Sequence, residues 1–550
     1  MSEHPSWWRD AVIYQVYVRS FADADGDGMG DIAGIREKLP YLRDLGVDAI
    51  WVNPWYVSPQ ADAGYDVEDY RAVDPRFGTL AEAEKLVVDA HSHGIRVVPD
   101  LVPNHTSDRH AWFRAALAAG PGSPERQRYV FRSGRGPDGD EPPTNWRSMF
   151  GGGAWTRVTE DDGAPGEWYL HLFAPEQPDL NWAHPEVAGE FEAVLRFWFD
   201  RGVDGFRIDV AHGLVKDPAY PDVADVDDPT DAAYAPGTHP FWDRDDVHDI
   251  YRSWRRVADS YPGDRTFVAE AWTSAPDRMA RYVRPDGLHT AFNFDFLRAE
   301  WDAAALRRVI DRTTASLQRV GAPATWVLSN HDVVRHVSRY GRTSSVGGEN
   351  IVHPPDGAVD LVLGRGRARA ALLLEAALPG GFYVYQGEEL GLGEVEDLPD
   401  DALQDPTWER SGRTDRGRDG CRVPLPWSGV SPPFGFGPEG TTPWLPQPPE
   451  WVAFTVQRQT GDPDSMLELY RATLALRRRL PALGEGVMAW VDAPEGVLAL
   501  RREPGFVCVT NLSDAAHPLP AHDEVLLASG PLEGGSLPPD TAVWLGLCRR

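Results

Sequence analysis

Eight short apolar runs alternate with helix-patterned stretches along this chain, and that alternation limits the fold more than any other feature. The runs lie near 12–18, 49–53, 95–101, 203–209, 266–271, 290–295, 325–330 and 382–386. Their apolar character is continuous, which suits parallel strands buried on both faces. Between them, apolar residues recur at helical spacing. In 31–46, Ile32, Ile35, Leu39, Leu42 and Leu45 share one face and Gly46 supplies a stop. Segments 79–93, 185–201, 245–260 and 365–378 read the same way. Eight strands alternating with helices predict an α/β fold, a (β/α)8 (TIM) barrel.

The spacing is uneven, and the unevenness is informative. Residues 106–180, between the third and fourth runs, are rich in Gly, Pro and Asp and carry short aromatic pieces such as Trp168-Tyr169-Leu170-His171. That is too long for a plain loop, so it reads as an inserted small domain after strand three. The acidic 213–245 and the Pro/Gly-rich 388–450 follow strands four and eight. All three connections follow strands, so they rise over the C-terminal face of the barrel, where active sites sit. They predict a walled pocket. After an Arg- and Leu-rich helix at 464–480, strand-like pieces at 486–490, 496–501, 506–511 and 541–547 predict a C-terminal β-sandwich. The expected division is a catalytic barrel over 1–105 and 181–480, an inserted domain over 106–180 and the sandwich over 481–550.

Composition narrows the partners. The net charge of −30 repels phosphate backbones and anionic lipid, so no nucleic acid and no membrane partner is expected, and a small neutral substrate fits better. Only Lys38, Lys85 and Lys216 among the 54 basic residues are lysine, which disfavours Schiff-base chemistry. Cys421, Cys508 and Cys548 have neither metal-type spacing nor a disulfide framework. No charged n-region precedes an apolar run at the N-terminus, and no apolar stretch reaches the 18 residues of a membrane span. The expectation is a soluble cytoplasmic protein, with no signal for an oligomeric state.

Ionisable residues collect at strand ends. In Gly205-Phe206-Arg207-Ile208-Asp209, Arg207 and Asp209 share one face because strand side chains alternate. Glu270 closes the fifth run, Asp332 follows the seventh, and Asp100 comes near the end of the third, just before Asn104 and His105. In a barrel these ends converge. Convergent carboxylates suit glycoside hydrolysis through an oxocarbenium-like transition state, with one acid as nucleophile, one as acid/base and one holding the sugar. Arg207 beside Asp209 is expected to keep that acid ionised.

These residues also carry a resemblance. The opening Trp8-Arg9-Asp10-Ala11-Val12-Ile13-Tyr14-Gln15-Val16-Tyr17, Asp100-Leu101-Val102-Pro103-Asn104-His105-Thr106, Gly205 to His212, Glu270-Ala271-Trp272 and Asn330-His331-Asp332 resemble, in order and spacing, the α-amylase superfamily (glycoside hydrolase family 13), in its α-glucosidase and oligo-1,6-glucosidase branch. The resemblance covers nearly the whole chain. It implies a retaining mechanism in which Asp209 attacks the anomeric carbon, Glu270 protonates the leaving oxygen and Asp332 stabilises the transition state. By the same resemblance His105, Arg207 and His331 hold the nonreducing-end glucose. Tyr65 stacks on the sugar, Asp66 binds a hydroxyl, and Arg422 closes the pocket.

Asp23-Ala24-Asp25-Gly26-Asp27-Gly28-Met29-Gly30-Asp31 gathers hard oxygen ligands around a Gly turn. Gly34 stands where an EF-hand needs Glu, so that motif is excluded. The resemblance implies a structural Ca²⁺ or Mg²⁺ on the side chains of Asp23, Asp25, Asp27 and Asp31 and the carbonyl of Met29. No organic cofactor is expected.

The leading expectation is an exo-acting α-glucosidase on short α-glucosides such as maltose. Two alternatives keep the same acids: a transglucosylase or trehalose synthase-type isomerase, and an oligo-1,6-glucosidase. A non-enzymatic interaction protein is disfavoured because the acids are present. Val210, after the nucleophile, is bulky as in α-1,6 enzymes. The Ala211-His212 pair that follows departs from their pattern, so α-1,4 activity with broader tolerance is expected.

Overall fold

The computed structural model describes residues 6–160, 162–224, 234–342, 357–532 and 534–547. Cys548 and residues 225–233 of the acidic connection lie outside them. All eight apolar runs form strands: β1 (Val12–Val16), β2 (Ala49–Val52), β3 (Arg96–Leu101), β4 (Gly205–Ile208), β5 (Thr266–Ala269), β6 (Thr290–Ala291), β7 (Thr325–Val327) and β8 (Gly381–Tyr385). They make one sheet in the order β6-β5-β4-β3-β2-β1-β8-β7, parallel at every pairing. The seam between β6 and β7 is bridged where the Asn293 amide donates to the Thr325 carbonyl at 3.1 Å.

Strand alternation sorts the side chains into two cores. Ile13, Ala49, Trp51, Val268, Val327 and Tyr383 form the inner layer. Their neighbours Val12, Ile50, Val97, Phe206, Phe267, Trp326 and Phe382 face outward onto the surrounding helices. Each buried aliphatic is worth ~1.5–3 kcal/mol over exposure, so the inner layer is a firm apolar floor. Polar residues at the strand tips stand on it. One helix reading changes: 31–46 is two helices, Ile32–Glu37 and Leu39–Leu45. Pro40 has no N–H to continue the ladder, so it opens the second helix. Gly46 ends that helix at φ +99°.

The insertion leaves β3 and returns beside it, with the Leu180 amide donating to the Asn104 carbonyl at 2.9 Å. It carries helix Ala111–Ala119 and a three-stranded antiparallel sheet of Phe131–Arg132, Pro165–Leu170 and Trp155–Thr159. Its Trp146 and Trp155 pack with Phe241 and Trp242 of the acidic connection and with Val210. Two walls of the site thus share one aromatic core directly behind the end of β4.

After helix Met466–Arg479 the chain forms a five-stranded antiparallel sheet faced by the ribbon His517–Pro518/Ser536–Leu537. One face, with Leu498, Leu500, Cys508 and Trp544, joins the barrel core. Trp544 Nε1 donates to the Leu373 carbonyl at 2.9 Å. The other face, with Val497, Val507 and Val543, packs on Leu537.

Candidate active site

The site begins where the ladder outlasts the formal strands. The Asp209 amide donates to the Leu101 carbonyl at 2.9 Å, and the Glu270 amide to the Ile208 carbonyl at 3.0 Å. Both acids therefore sit on rigid strand extensions. As strand parity requires, Arg207 and Asp209 turn inward while Phe206 and Ile208 pack outside. Arg207 Nη1 bonds Asp100 at 2.9 Å and also Asp209, and Nη2 bonds Glu270 Oε2 at 2.8 Å. One guanidinium, over the Trp51 ring at 5.0 Å, gathers three carboxylates. The side chains of Asp209 and Glu270 are only 8% and 14% exposed, so the connections do enclose them.

Burial pushes the Asp209 carboxyl well above the ordinary range. Arg207 opposes that, while Glu270 and Asp100 add to it. Arg207 thus acts in the expected direction, favouring the ionised Asp209, although its one charge is divided among three acids. Burial likewise pushes Asp100 up to about 6. Asp100 Oδ2 accepts from Trp51 Nε1 at 2.9 Å and from the Tyr65 hydroxyl at 3.0 Å.

Across the site, Asp332 follows β7 and has the opposite surroundings. Its Oδ1 accepts from Arg418 at 3.0 Å and from Arg422 at 2.9 Å, and His331 lies 3.2 Å from its Oδ2. Burial disfavours its charge, but His331, Arg418, Arg422 and Arg207 outweigh burial and hold it well below the carboxylate range. Arg422 Nε also fixes the His331 carbonyl at 2.8 Å. The His331 ring is wedged between the Gln15 amide at 2.8 Å and the Tyr65 hydroxyl at 2.6 Å. Burial pushes that ring well below the ordinary histidine range, while Asp332 opposes the shift. His105 contacts the Tyr65 carbonyl and the Gln177 amide, both at 3.1 Å, and burial pushes it down to about 4.

Three comparisons with known proteins bear on this geometry. The family described as "Alpha amylase, catalytic domain" matches residues 15–486. The chain belongs to the α-amylase family. Among relatives, it is 38% identical to a "Probable alpha-glucosidase" of Rhizobium meliloti (strain 1021), over 93% of this chain and 90% of that protein. It is 35% identical to an "Oligo-1,6-glucosidase" of Parageobacillus thermoglucosidasius, over 86% and 84%. Among solved structures, an alpha-glucosyl transfer enzyme, XgtA, aligns with TM-score 0.84 at 36% identity, over 98% of this chain and 99% of that one. The α-amylase catalytic fold, with its glycoside hydrolase chemistry, is thus the frame for this site.

Within that frame the structure brings Asp209, Glu270, Asp332, Arg207, His331, Tyr65, His105 and Arg422 together. Asp66 does not join them. Its carboxylate accepts from Ser58 Oγ at 2.9 Å, the Ala61 amide at 2.9 Å and the Asp62 amide at 3.0 Å, and burial pushes it up to about 6. Asp66 thereby shapes the loop that presents Asp62. The residue that does reach the site is Asp62, which accepts from Arg418 Nη2 at 2.8 Å and from Gln177 at 3.1 Å. Asp62 and Arg418 escaped the sequence reading because both lie on loops, where side-chain direction has no period. A signal existed for Arg418: it stands four residues before Arg422 around the 3-10 turn Asp419–Cys421. Both arginines anchor on Asp405, at 2.5 Å from Arg418 Nε and 3.6 Å from Arg422.

In the acidic loop, carboxylate oxygens of Asp23, Asp25 and Asp27 lie within 4.8 Å of one another. Asp31 closes the same loop from the helix side. Its oxygens cap helix Ile32–Glu37 through the Gly34 amide at 2.6 Å and accept from the Ala24 and Asp25 amides at 2.8 and 3.3 Å. Met29 contributes its amide to Asp27 at 2.8 Å. The loop is roofed by the 388–450 connection: the Asp23 amide donates to the Phe436 carbonyl at 2.8 Å, and the Trp444 amide to the Gly28 carbonyl at 2.9 Å. A Cβ at Gly28 would lie 2.3 Å from the Thr442 carbonyl, so only glycine fits. Among the described residues no helix is long and apolar enough to cross a membrane.

Proposed function

We propose that this chain is a retaining, exo-acting α-glucosidase on short neutral α-glucosides such as maltose. The observation that supports it most is the pairing of Asp209 with Glu270 on one guanidinium, opposite an Asp332 held ionised by two others. Asp209 attacks the anomeric carbon as Glu270 gives its proton to the leaving oxygen, so the glycosidic bond breaks and a glucosyl ester forms. Glu270 then takes a proton from water, which attacks the same carbon and frees Asp209. Asp332 stays charged and favours the positive ring of each transition state. Double displacement returns the α-anomer, in line with the retaining chemistry general to this family.

Exo action follows from the closed end. Arg418 links Asp62 of the β2 loop to the 388–450 connection, and Arg422 ties the same connection to Asp332 after β7, a closed end that suits a terminal sugar and not a chain running through. Asp62, His105, Arg207 and His331 are suited to its hydroxyls, and Asp62 takes the role first given to Asp66. The Tyr65 ring, parallel to His331 at 5.3 Å and 10°, supplies an apolar face.

The acidic loop suits a hard divalent cation, Ca²⁺ or Mg²⁺, held by Asp23, Asp25 and Asp27. Bound there, the ion neutralises clustered charge and stiffens the loop beneath the 388–450 connection; no reaction step involves it.

The likeness to an alpha-glucosyl transfer enzyme favours transfer as the second reading. A proton NMR time course with maltose separates the two. α-Glucose appearing first and then mutarotating supports the hydrolase. Accumulating trehalose or isomaltose shifts the assignment to transfer, and untouched maltose removes the α-1,4 preference.

A further inference from the structure

Glu270 is gripped at both oxygens, and one grip comes from outside the arginine cluster. Oε2 accepts from Arg207 and from the Val210 amide at 3.0 Å, whereas Oε1 accepts from the indole N–H of Trp272 at 3.1 Å. The Val210 amide turns toward Glu270 from a backbone at φ +45°. A β-branched residue adopts that region only under backbone strain. Trp272 is itself braced. Its ring lies face to face with Phe294, centroids 3.9 Å apart and planes 8° apart, and the Arg298 guanidinium lies over it at 4.4 Å. Phe294 belongs to the inner barrel core, so the indole is set by the floor of the barrel.

We propose that Trp272 is a positioning residue for Glu270, fixing through its indole N–H the oxygen that exchanges the catalytic proton. The proposal rests on the reading of Glu270 as acid/base. Oε2 already takes two donors, which leaves Oε1 to carry the proton. An indole N–H donates and never accepts, so its bond always favours the ionised carboxylate. As the proton leaves Oε1 for the glycosidic oxygen, negative charge develops where the indole already points. In the second step the same bond keeps Oε1 aimed at the water whose proton it takes. The charged and titratable groups facing Glu270 are Arg207, Asp209 and His212, and Arg298 lies over the Trp272 ring. Trp272→Phe removes none of these groups.

The test compares Trp272→Phe with Phe294→Leu in the full-length protein, using the pH dependence of kcat/KM on an α-glucoside the wild type cleaves. Trp272→Phe keeps a ring on Phe294 and removes the donor. Its alkaline limb moves up by about 0.5–1 pH unit, because a donor that favours the ionised carboxylate is gone. Its kcat falls roughly 5- to 20-fold, with KM within about twofold of wild type. Phe294→Leu keeps the donor and only loosens its brace, so it lowers kcat and moves the limb in the same direction by a smaller amount. An unmoved limb in folded Trp272→Phe, or an equal movement in Phe294→Leu, would overturn the proposal. A wild type inactive on maltose, isomaltose and sucrose would instead overturn the hydrolase reading.

Discussion

The two sides of the pocket treat the same kind of side chain in opposite ways. On the β3–β5 side, Arg207 alone serves Asp100, Asp209 and Glu270, and Asp209 is pushed up. On the other side, Arg418 and Arg422 share Asp332, with His331 against it, and Asp332 is pushed down. The difference lies in the ratio of cations to carboxylates: one guanidinium for three acids on the first side, two for Asp332, Asp62 and Asp405 on the second. The acid-rich side is poised to bond to carbon and move a proton. The arginine-rich side holds a fixed negative charge beside a cationic ring.

The contrast breaks most sharply at Asp209. Asp209→Asn removes the covalent step, and kcat/KM falls by roughly 10³-fold or more with the fold retained. Steady-state kinetics beside thermal unfolding checks this; near-normal activity in a folded variant contradicts it. Asp332→Asn removes fixed charge and no bond-forming group, so the expected loss is about 10²–10³-fold in kcat. Asp332 also gives the contrast a pH signature. Its folded value lies below its unfolded one, so its stabilisation is complete above ~4 and is lost as pH falls further. The unfolding temperature of the wild type therefore drops more steeply below about pH 4 than that of Asp332→Asn. Parallel curves remove this linkage.

The acid-rich side was readable in the sequence and the arginine-rich side largely was not. Asp100, Arg207, Asp209 and Glu270 sit on or just after buried strands, where parity fixes direction and barrel closure fixes convergence. Asp332 was found the same way, from the end of β7. Its partner Arg418 and the loop acid Asp62 come from connections whose course depends on contacts distant in sequence, such as Arg418 with Asp62. Motif likeness chose Asp66, whereas Ser58 and the Ala61 and Asp62 amides draw that carboxylate into its own loop. Likewise Asp31 serves as the cap of helix Ile32–Glu37, a role its place in the acidic run did not announce.

A paired substitution sharpens that point. Asp62→Asn weakens Arg418 and the contact for a sugar hydroxyl, and kcat/KM falls roughly 10²-fold. Asp66→Asn keeps most of its loop bonds and changes kcat/KM less than about tenfold. The reverse order restores Asp66 to the site. The smallest effect belongs to the acidic loop. Adding Ca²⁺ to chelator-treated protein raises the unfolding temperature by about 2–4 °C, with kcat unchanged. A response in kcat with no change in stability contradicts a structural ion.

The central claim is the covalent step at Asp209, and the most direct measurement traps it. Incubation with 5-fluoro-α-glucosyl fluoride, followed by peptide mass analysis, locates the glucosyl ester. The account predicts one labelled peptide spanning Gly205 to His212, with the sugar on Asp209. Label on Glu270 or Asp332, or rapid turnover of the related substrate with no label anywhere, would contradict it.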